Sequence, residues 1–124
     1  MIAADTSVMV AYFSGDAGED MERLAAALQN GDLALPPVVM TELLSGASNN
    51  QDVERDISEI ALLSITDGYW GRAGFTRRAL KKRGLKPKIA DALIAQVCID
   101  HDVMLITRDK DFRHFAKHCG LKLA

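Results

Sequence analysis

Asp5, Glu42, Asp91 and Asp109 stand apart from the other acidic residues of this chain because each adjoins an apolar stripe instead of lying within a polar face. Asp5 follows Met1-Ile2-Ala3-Ala4. Glu42 sits in Val38-Val39-Met40-Thr41-Glu42-Leu43-Leu44. Asp91 lies within Ile89-Ala90-Asp91-Ala92-Leu93-Ile94-Ala95. Asp109 follows Met104-Leu105-Ile106-Thr107-Arg108. A solvated carboxylate normally occupies the polar face of an element, so these positions call for a reason. Ordinary roles exist for three of them: Asp5 and Asp109 as helix caps, and Glu42 as the partner of a lysine at a helix edge. Asp91, in so apolar a segment, is the hardest to explain in that way.

Gathered at one place, such acids would repel strongly. One like-charge pair 4 Å apart costs about 4 kcal/mol at an effective dielectric near 20. A divalent cation removes the repulsion, and an all-oxygen donor set favours Mg²⁺ or Mn²⁺ over zinc. The cation can lower the pKa of a water and offset charge on a phosphate, while a carboxylate left free accepts the water proton. His114 and His118 share a helical face at ligand spacing, but no third ligand stands near them in sequence, so zinc is not expected. Neither a GxxxxGK[ST] loop nor a GxGxxG fingerprint occurs, which disfavours nucleotide-cofactor chemistry. Positive charge collects just before Asp91, at Arg72, Arg77, Arg78, Lys81, Lys82, Arg83, Lys86 and Lys88. Read functionally, it is a track for RNA phosphates beside an acidic pocket. Read plainly, it is a solvated helix face.

The elements that must position these residues follow from periodicity and breakers. Strands are expected at 1–4, 33–35, 64–66 and 103–107, with an edge strand at 121–123. Helices are expected from about residue 8, over 16–29, from Pro36-Pro37 to about 46, and over 53–63. Others should cover 68–83, capped by Asp67, then 88–101 and 109–118. Short strands separated by helices imply parallel crossovers and a sheet covered on both faces. Ligands of such sheets bind outside the carboxyl ends of the strands, where Asp5 and Asp109 both fall. Tyr69, Trp70 and Phe75 read first as core packing and second as a subunit interface.

The 124 residues allow one domain, 1–124, large enough to fold without staples. Hydrophobic content of 48% and charged content of 26% are those of an ordinary globular protein, which excludes disorder as the default. The net charge of -2 argues against bulk coating of nucleic acid. Cys98 and Cys119 read as free thiols of a reducing compartment. No leader-like N-terminus and no stretch of about 20 apolar residues is evident, so a cytoplasmic protein without a membrane span is expected.

The motifs Asp5-Thr6-Ser7-Val8, Thr41-Glu42-Leu43, Ile89-Ala90-Asp91-Ala92-Leu93-Ile94-Ala95 and Ile106-Thr107-Arg108-Asp109-Lys110-Asp111-Phe112 occur in this order along the whole chain. Together they resemble the PIN-domain family, and most of all the VapC-type toxins of type II toxin–antitoxin pairs. The resemblance implies a three-layer α/β/α fold with a short-stranded parallel central sheet. It also implies an endoribonuclease dependent on Mg²⁺ or Mn²⁺, leaving 5′-phosphate and 3′-hydroxyl ends. By position, Asp5, Glu42, Asp91 and Asp109 would be the catalytic, metal-binding acids, with Asp111 as an accessory ligand. Thr6, Ser7 and Thr107 would supply hydroxyls to the carboxylates or to bound water, although Thr6 and Ser7 have a simpler use in capping. A cognate antitoxin laid across the acidic pocket, repression of a shared operon and a homodimer are implied as well. The alternatives are a housekeeping RNA-processing nuclease of the same family, a receiver-like phosphoacceptor domain and a catalytically dead binding scaffold.

Overall fold

The computed structural model describes residues 1–46 and 50–124. Five strands, β1 (Ile2–Ala4), β2 (Leu33–Leu35), β3 (Ala61–Leu62), β4 (Met104–Ile106) and β5 (Lys122–Leu123), form one sheet in the order β3-β2-β1-β4-β5. Every pairing is parallel, and β1 is central, registering Ile2 and Ala3 with Leu33 and Ala34 on one side and with Met104 and Leu105 on the other. Helices make all the crossovers: α1 (Thr6–Phe13) and α2 (Glu19–Gln29), α3 (Pro37–Leu44) and α4 (Gln51–Glu59), α5 (Tyr69–Lys82) and α6 (Ile89–His101), then α7 (Phe112–Cys119). They cover the sheet on both faces, giving a three-layer α/β/α domain. α1 packs on α2 and α3, and α5 packs on α6 and α7.

Because both faces are covered at its centre, the inner strands β1, β2 and β4 are apolar throughout, and Leu33, Ala34 and Leu35 are buried in succession. The core between the layers is built from Val8, Met9, Leu24, Leu35, Val39, Leu80, Leu105, Phe112 and Phe115, all at most 1% exposed. α6 is buried on nearly every side, from Asp91 and Ala92 through Ile94 to Cys98. No described helix is long and apolar enough to cross a membrane.

Several boundaries differ from those expected, each for a local reason. α1 begins at Thr6, since Asp5 caps it through Val8 N–H. α2 begins only at Glu19, after a loop in which Gly15 and Gly18 hold positive φ. The third strand is β3 at Ala61–Leu62, not 64–66. α4 ends at Glu59 because Ile60 is already extended (φ -73°, ψ 135°). α5 is entered through Gly68 in the left-handed region, with no cap from Asp67. Residues 109–111 form a turn ahead of α7 instead of its first turn. Tyr69 is core, 3% exposed, but Trp70 and Phe75 are 67% and 61% exposed, so packing does not account for them.

Candidate metal and catalytic site

The chain runs outward from β1 through β2 to β3, then returns to add β4 on the other side of β1. The crevice between the carboxyl ends of β1 and β4 is therefore the switch point of the sheet, where parallel α/β folds bind ligands. Asp5 leaves β1 and Thr107 leaves β4 at that crevice, and the Asp5 amide donates to the Ile106 carbonyl at 3.2 Å.

Asp5 is 3% exposed and well satisfied. Its Oδ1 accepts from Ser7 Oγ (2.7 Å) and from Val8 N–H (3.1 Å), and its Oδ2 accepts from Thr107 Oγ1. The carboxylate thus caps α1 and ties β1 to β4 at once. Burial raises its pKa above the usual carboxylate value; the bonds from Thr107, Ser7 and Val8 oppose that, and the charge of Asp109 adds to it. Thr107 Oγ1 also accepts the Asp109 amide at 2.9 Å, and Asp109 Oδ1 accepts the Asp111 amide at 2.9 Å. The turn after β4 is in this way held to Asp5 by two hydroxyls.

Asp91 enters the same place from the first turn of α6. It is 8% exposed, and its Oδ2 is buried without a hydrogen-bond partner among the described residues. Such an orphan is costly for a structural carboxylate. Burial lifts its pKa to about 6, with Asp109, Asp111 and Glu42 pushing in the same direction and Lys88 opposing. Ligand oxygens of Asp91, Asp109 and Asp111 lie within 4.8 Å of one another. Asp111, expected only as an accessory, belongs to this tightest group. Asp5 and Glu42 border it without joining it. Glu42, exposed on α3, is oriented by Thr6 Oγ1, which donates to its Oε1 at 2.8 Å. The cluster thus grades from buried Asp5 and Asp91 through Asp109 to exposed Asp111 and Glu42.

Three carboxylate oxygens this close, one of them buried and unpartnered, fit a hard divalent cation with oxygen preference. No sulfur joins them. His114 lies across a small cavity from Asp91 and Asp111, lined also by Lys86, Leu85 and Phe115, but it is not in the tight group.

Sequence matching at this point decides the lineage: the PIN domain family model covers residues 2–118. The chain belongs to the PIN-domain family. Among curated PIN-domain relatives it is 30% identical to the ribonuclease VapC11 of Mycobacterium tuberculosis and to a VapC ribonuclease of Mycobacterium bovis, over 100% of this chain and 98% of each. Its fold is similar to VapBC2 from Rickettsia felis bound to a promoter DNA fragment (TM-score 0.76, 22% identity, 100% and 98% coverage). It is also similar to VapBC-1 from nontypeable Haemophilus influenzae (TM-score 0.73, 21% identity, 100% and 97% coverage).

Most of the basic residues of this PIN domain lie along adjoining grooves, with Arg72 and Arg83 apart from them. Arg72 is engaged by its own fold at the surface: its Nε and Nη2 grip both oxygens of Asp100 (3.1 and 2.7 Å), and Nη1 and Nη2 also reach the Asp67 carbonyl and Thr66 Oγ1. Arg77 Nε donates to the Pro87 carbonyl, and the Arg78 guanidinium lies 4.7 Å from the centre of the Phe75 ring. Gly74, Arg77, Arg78, Lys81 and Lys82 line one shallow groove, and Arg77 and Lys81 line a second together with Lys86 and Lys88, of which Lys86 also borders the cavity holding Asp91. Arg83 lies beyond the end of α5, near enough to His118 to depress its pKa along with burial.

Contacts beside the site that sequence reasoning missed are those of Arg108 with Asp16 and Asp20. Arg108 Nε and Nη2 pair with the two oxygens of Asp20 (2.6 and 3.1 Å), and Nη1 pairs with Asp16 at 2.9 Å. The only available signal was the place of Arg108 between Thr107 and Asp109.

Proposed function

We propose that this protein is a Mg²⁺- or Mn²⁺-dependent endoribonuclease and the toxin of a VapBC-type pair. The observation that carries the reading is the Asp91–Asp109–Asp111 cluster at the β1/β4 switch point, with its buried, unpartnered Asp91 oxygen. Family membership and the two VapC ribonuclease relatives supply the reaction class.

Asp91, Asp109 and Asp111 would hold the cation, with Asp5 behind them and Glu42 at the mouth. The bound ion would supply Lewis-acid stabilisation of the phosphate and lower the pKa of a nearby water. The residues of the chain do the rest. Asp5, fixed by Ser7 and Thr107, keeps the turn carrying Asp109 against β1. Glu42 is exposed and has one oxygen engaged by Thr6, which suits it to take a proton from attacking water. Water oxygen bonds to phosphorus, the bond to the 3′ oxygen breaks, and that oxygen leaves with the bonding electrons and takes a proton from solvent to become a hydroxyl, while the phosphate stays on the 5′ end. Arg77, Arg78, Lys81, Lys82, Lys86 and Lys88 neutralise phosphates of the RNA on its way to the cluster.

A cognate antitoxin, covering the acidic pocket in the cell, is the proposed partner. Two of the similar structures are of VapBC assemblies, which supports that choice. A cytoplasmic location and a homodimer belong to the same reading.

The test is incubation of purified protein with total RNA in Mg²⁺, Mn²⁺ or chelator, with mapping of the ends produced. Cleavage should require the cation and leave 5′-phosphates. Asp91→Asn should abolish it with an unchanged circular-dichroism spectrum. Undiminished cleavage by that folded variant, or by wild type in chelator, refutes the assignment.

A further inference from the structure

Arg108 points away from the acids that flank it in sequence. Its backbone N–H donates to Ser7 Oγ at 3.0 Å, holding the inner side of the turn to α1. Its side chain holds the outer side. Beyond the bidentate grip on Asp20 and the bond to Asp16, Nη2 donates to the Ala17 carbonyl at 3.2 Å, so every guanidinium nitrogen has a partner. The receiving loop is shaped for it. Gly18 holds φ 138°, and a Cβ there would stand 2.7 Å from Asp20 Oδ1 and 3.6 Å from Arg108 Nη2.

This arrangement joins segments 88 to 92 residues apart. The joined turn is the one carrying Asp109 and Asp111, two of the three close acids. A cation placed one residue from Asp109 disfavours binding of a second cation by simple charge. A benefit from Arg108 to a divalent site must therefore come through geometry.

We infer that Arg108, clamped by Asp16 and Asp20 over Gly18, is a positioning residue that fixes the turn bearing Asp109 and Asp111 and thereby sets the affinity of the cluster for a divalent cation. The inference rests on the metal reading above and deepens it. Groups that orient metal ligands from outside commonly change affinity 10- to 100-fold when removed, and a loss of about tenfold is expected here.

The experiment measures free Mn²⁺ by electron paramagnetic resonance in titrations of wild type, Arg108→Gln, Gly18→Ala, Asp20→Asn and the Arg108→Gln/Asp20→Asn double variant, with circular dichroism to verify folding. The clamp predicts that the Mn²⁺ Kd rises about tenfold in Arg108→Gln, and that the double variant is no worse than either single one. Gly18→Ala, which changes no charge, should weaken binding as well and serves as the second probe if Arg108→Gln fails to fold. Charge alone predicts the opposite for Arg108→Gln, tighter binding, and cancellation in the double variant. Tighter or unchanged binding in Arg108→Gln, or a lowered Tm with unaltered Kd, overturns the clamp while leaving the metal reading intact. A wild-type protein that binds no Mn²⁺ overturns both.

Discussion

Asp91 carries opposing demands, since the fold buries a group that the proposed chemistry needs ionised. Its pKa near 6 lies above the ordinary value of 3.8, so the folded state binds the proton more tightly than the unfolded state does. The associated stability is fully present below pH 3.8 and is lost as pH rises through about 6. At neutral pH the ionised, metal-free site therefore costs about 3 kcal/mol relative to a neutral side chain. Asp91→Asn should accordingly raise the Tm of chelator-treated protein at pH 7 by several degrees, and the gain should vanish near pH 4. Thermal melts across that range check the sign, and a variant less stable than wild type at pH 7 would sink the argument. Mg²⁺ or Mn²⁺ should produce the opposite pattern, raising the wild-type Tm at pH 7 and leaving Asp91→Asn unmoved, because only the native site binds the ion. At this scale the sequence was informative where an acid interrupted an apolar stripe, as for Asp5, Asp91 and Asp109. It was weak for Asp111, whose exposed helix-start setting resembles any solvated acid. For Arg108 it offered only a place between Thr107 and Asp109, because its partners lie far away along the chain.

Elements were legible where burial was complete. β1, β2 and β4 are short apolar runs, and their order with the helices between them dictates the parallel sheet. β3 was not legible, because Ala61 and Leu62 are exposed at a sheet edge and follow Ile57 and Ile60 at helical spacing, so the apolar run continues the helix pattern. What holds α5 against α6 was hidden too. Thr76 Oγ1 donates to Gln96 Oε1, Gln96 Nε2 donates to Asp100 Oδ1 at 2.8 Å, and Asp100 receives the Arg72 fork, while Tyr69 Oη donates to the Leu93 carbonyl at 2.7 Å. Arg72→Ala would leave the largely buried Asp100 carboxylate short of its charged partner. It should cost about 1–3 kcal/mol in urea unfolding. Mn²⁺ affinity should survive, because the network lies at the far end of α6 from Asp91. Tyr69→Phe should cost about 1 kcal/mol by the same measurement. A neutral outcome for both would show that α6 is held by apolar contact alone.

For the whole molecule, the exposed Trp70 and Phe75 on α5 are the clearest departure from a finished surface. Large aromatic side chains left in water commonly mark association. In the proposed homodimer, the double substitution Trp70→Arg/Phe75→Glu should shift the protein towards monomer in sedimentation velocity while leaving its spectrum intact. An unaltered distribution would place the interface elsewhere. The sheet also dictates when the proposed site can assemble. β1, the first strand of the sheet in chain order, is the central one, and one of its two neighbours, β4, follows only after β2, β3 and six helices. Parallel sheets of this kind close late, because distant segments must meet before they are held. A nascent chain that has not yet delivered β4 and the turn after it has Asp5 and Glu42 but lacks Asp109 and Asp111. An enzyme proposed to cut RNA thus stays incomplete on the ribosome until the turn after β4 has emerged and docked.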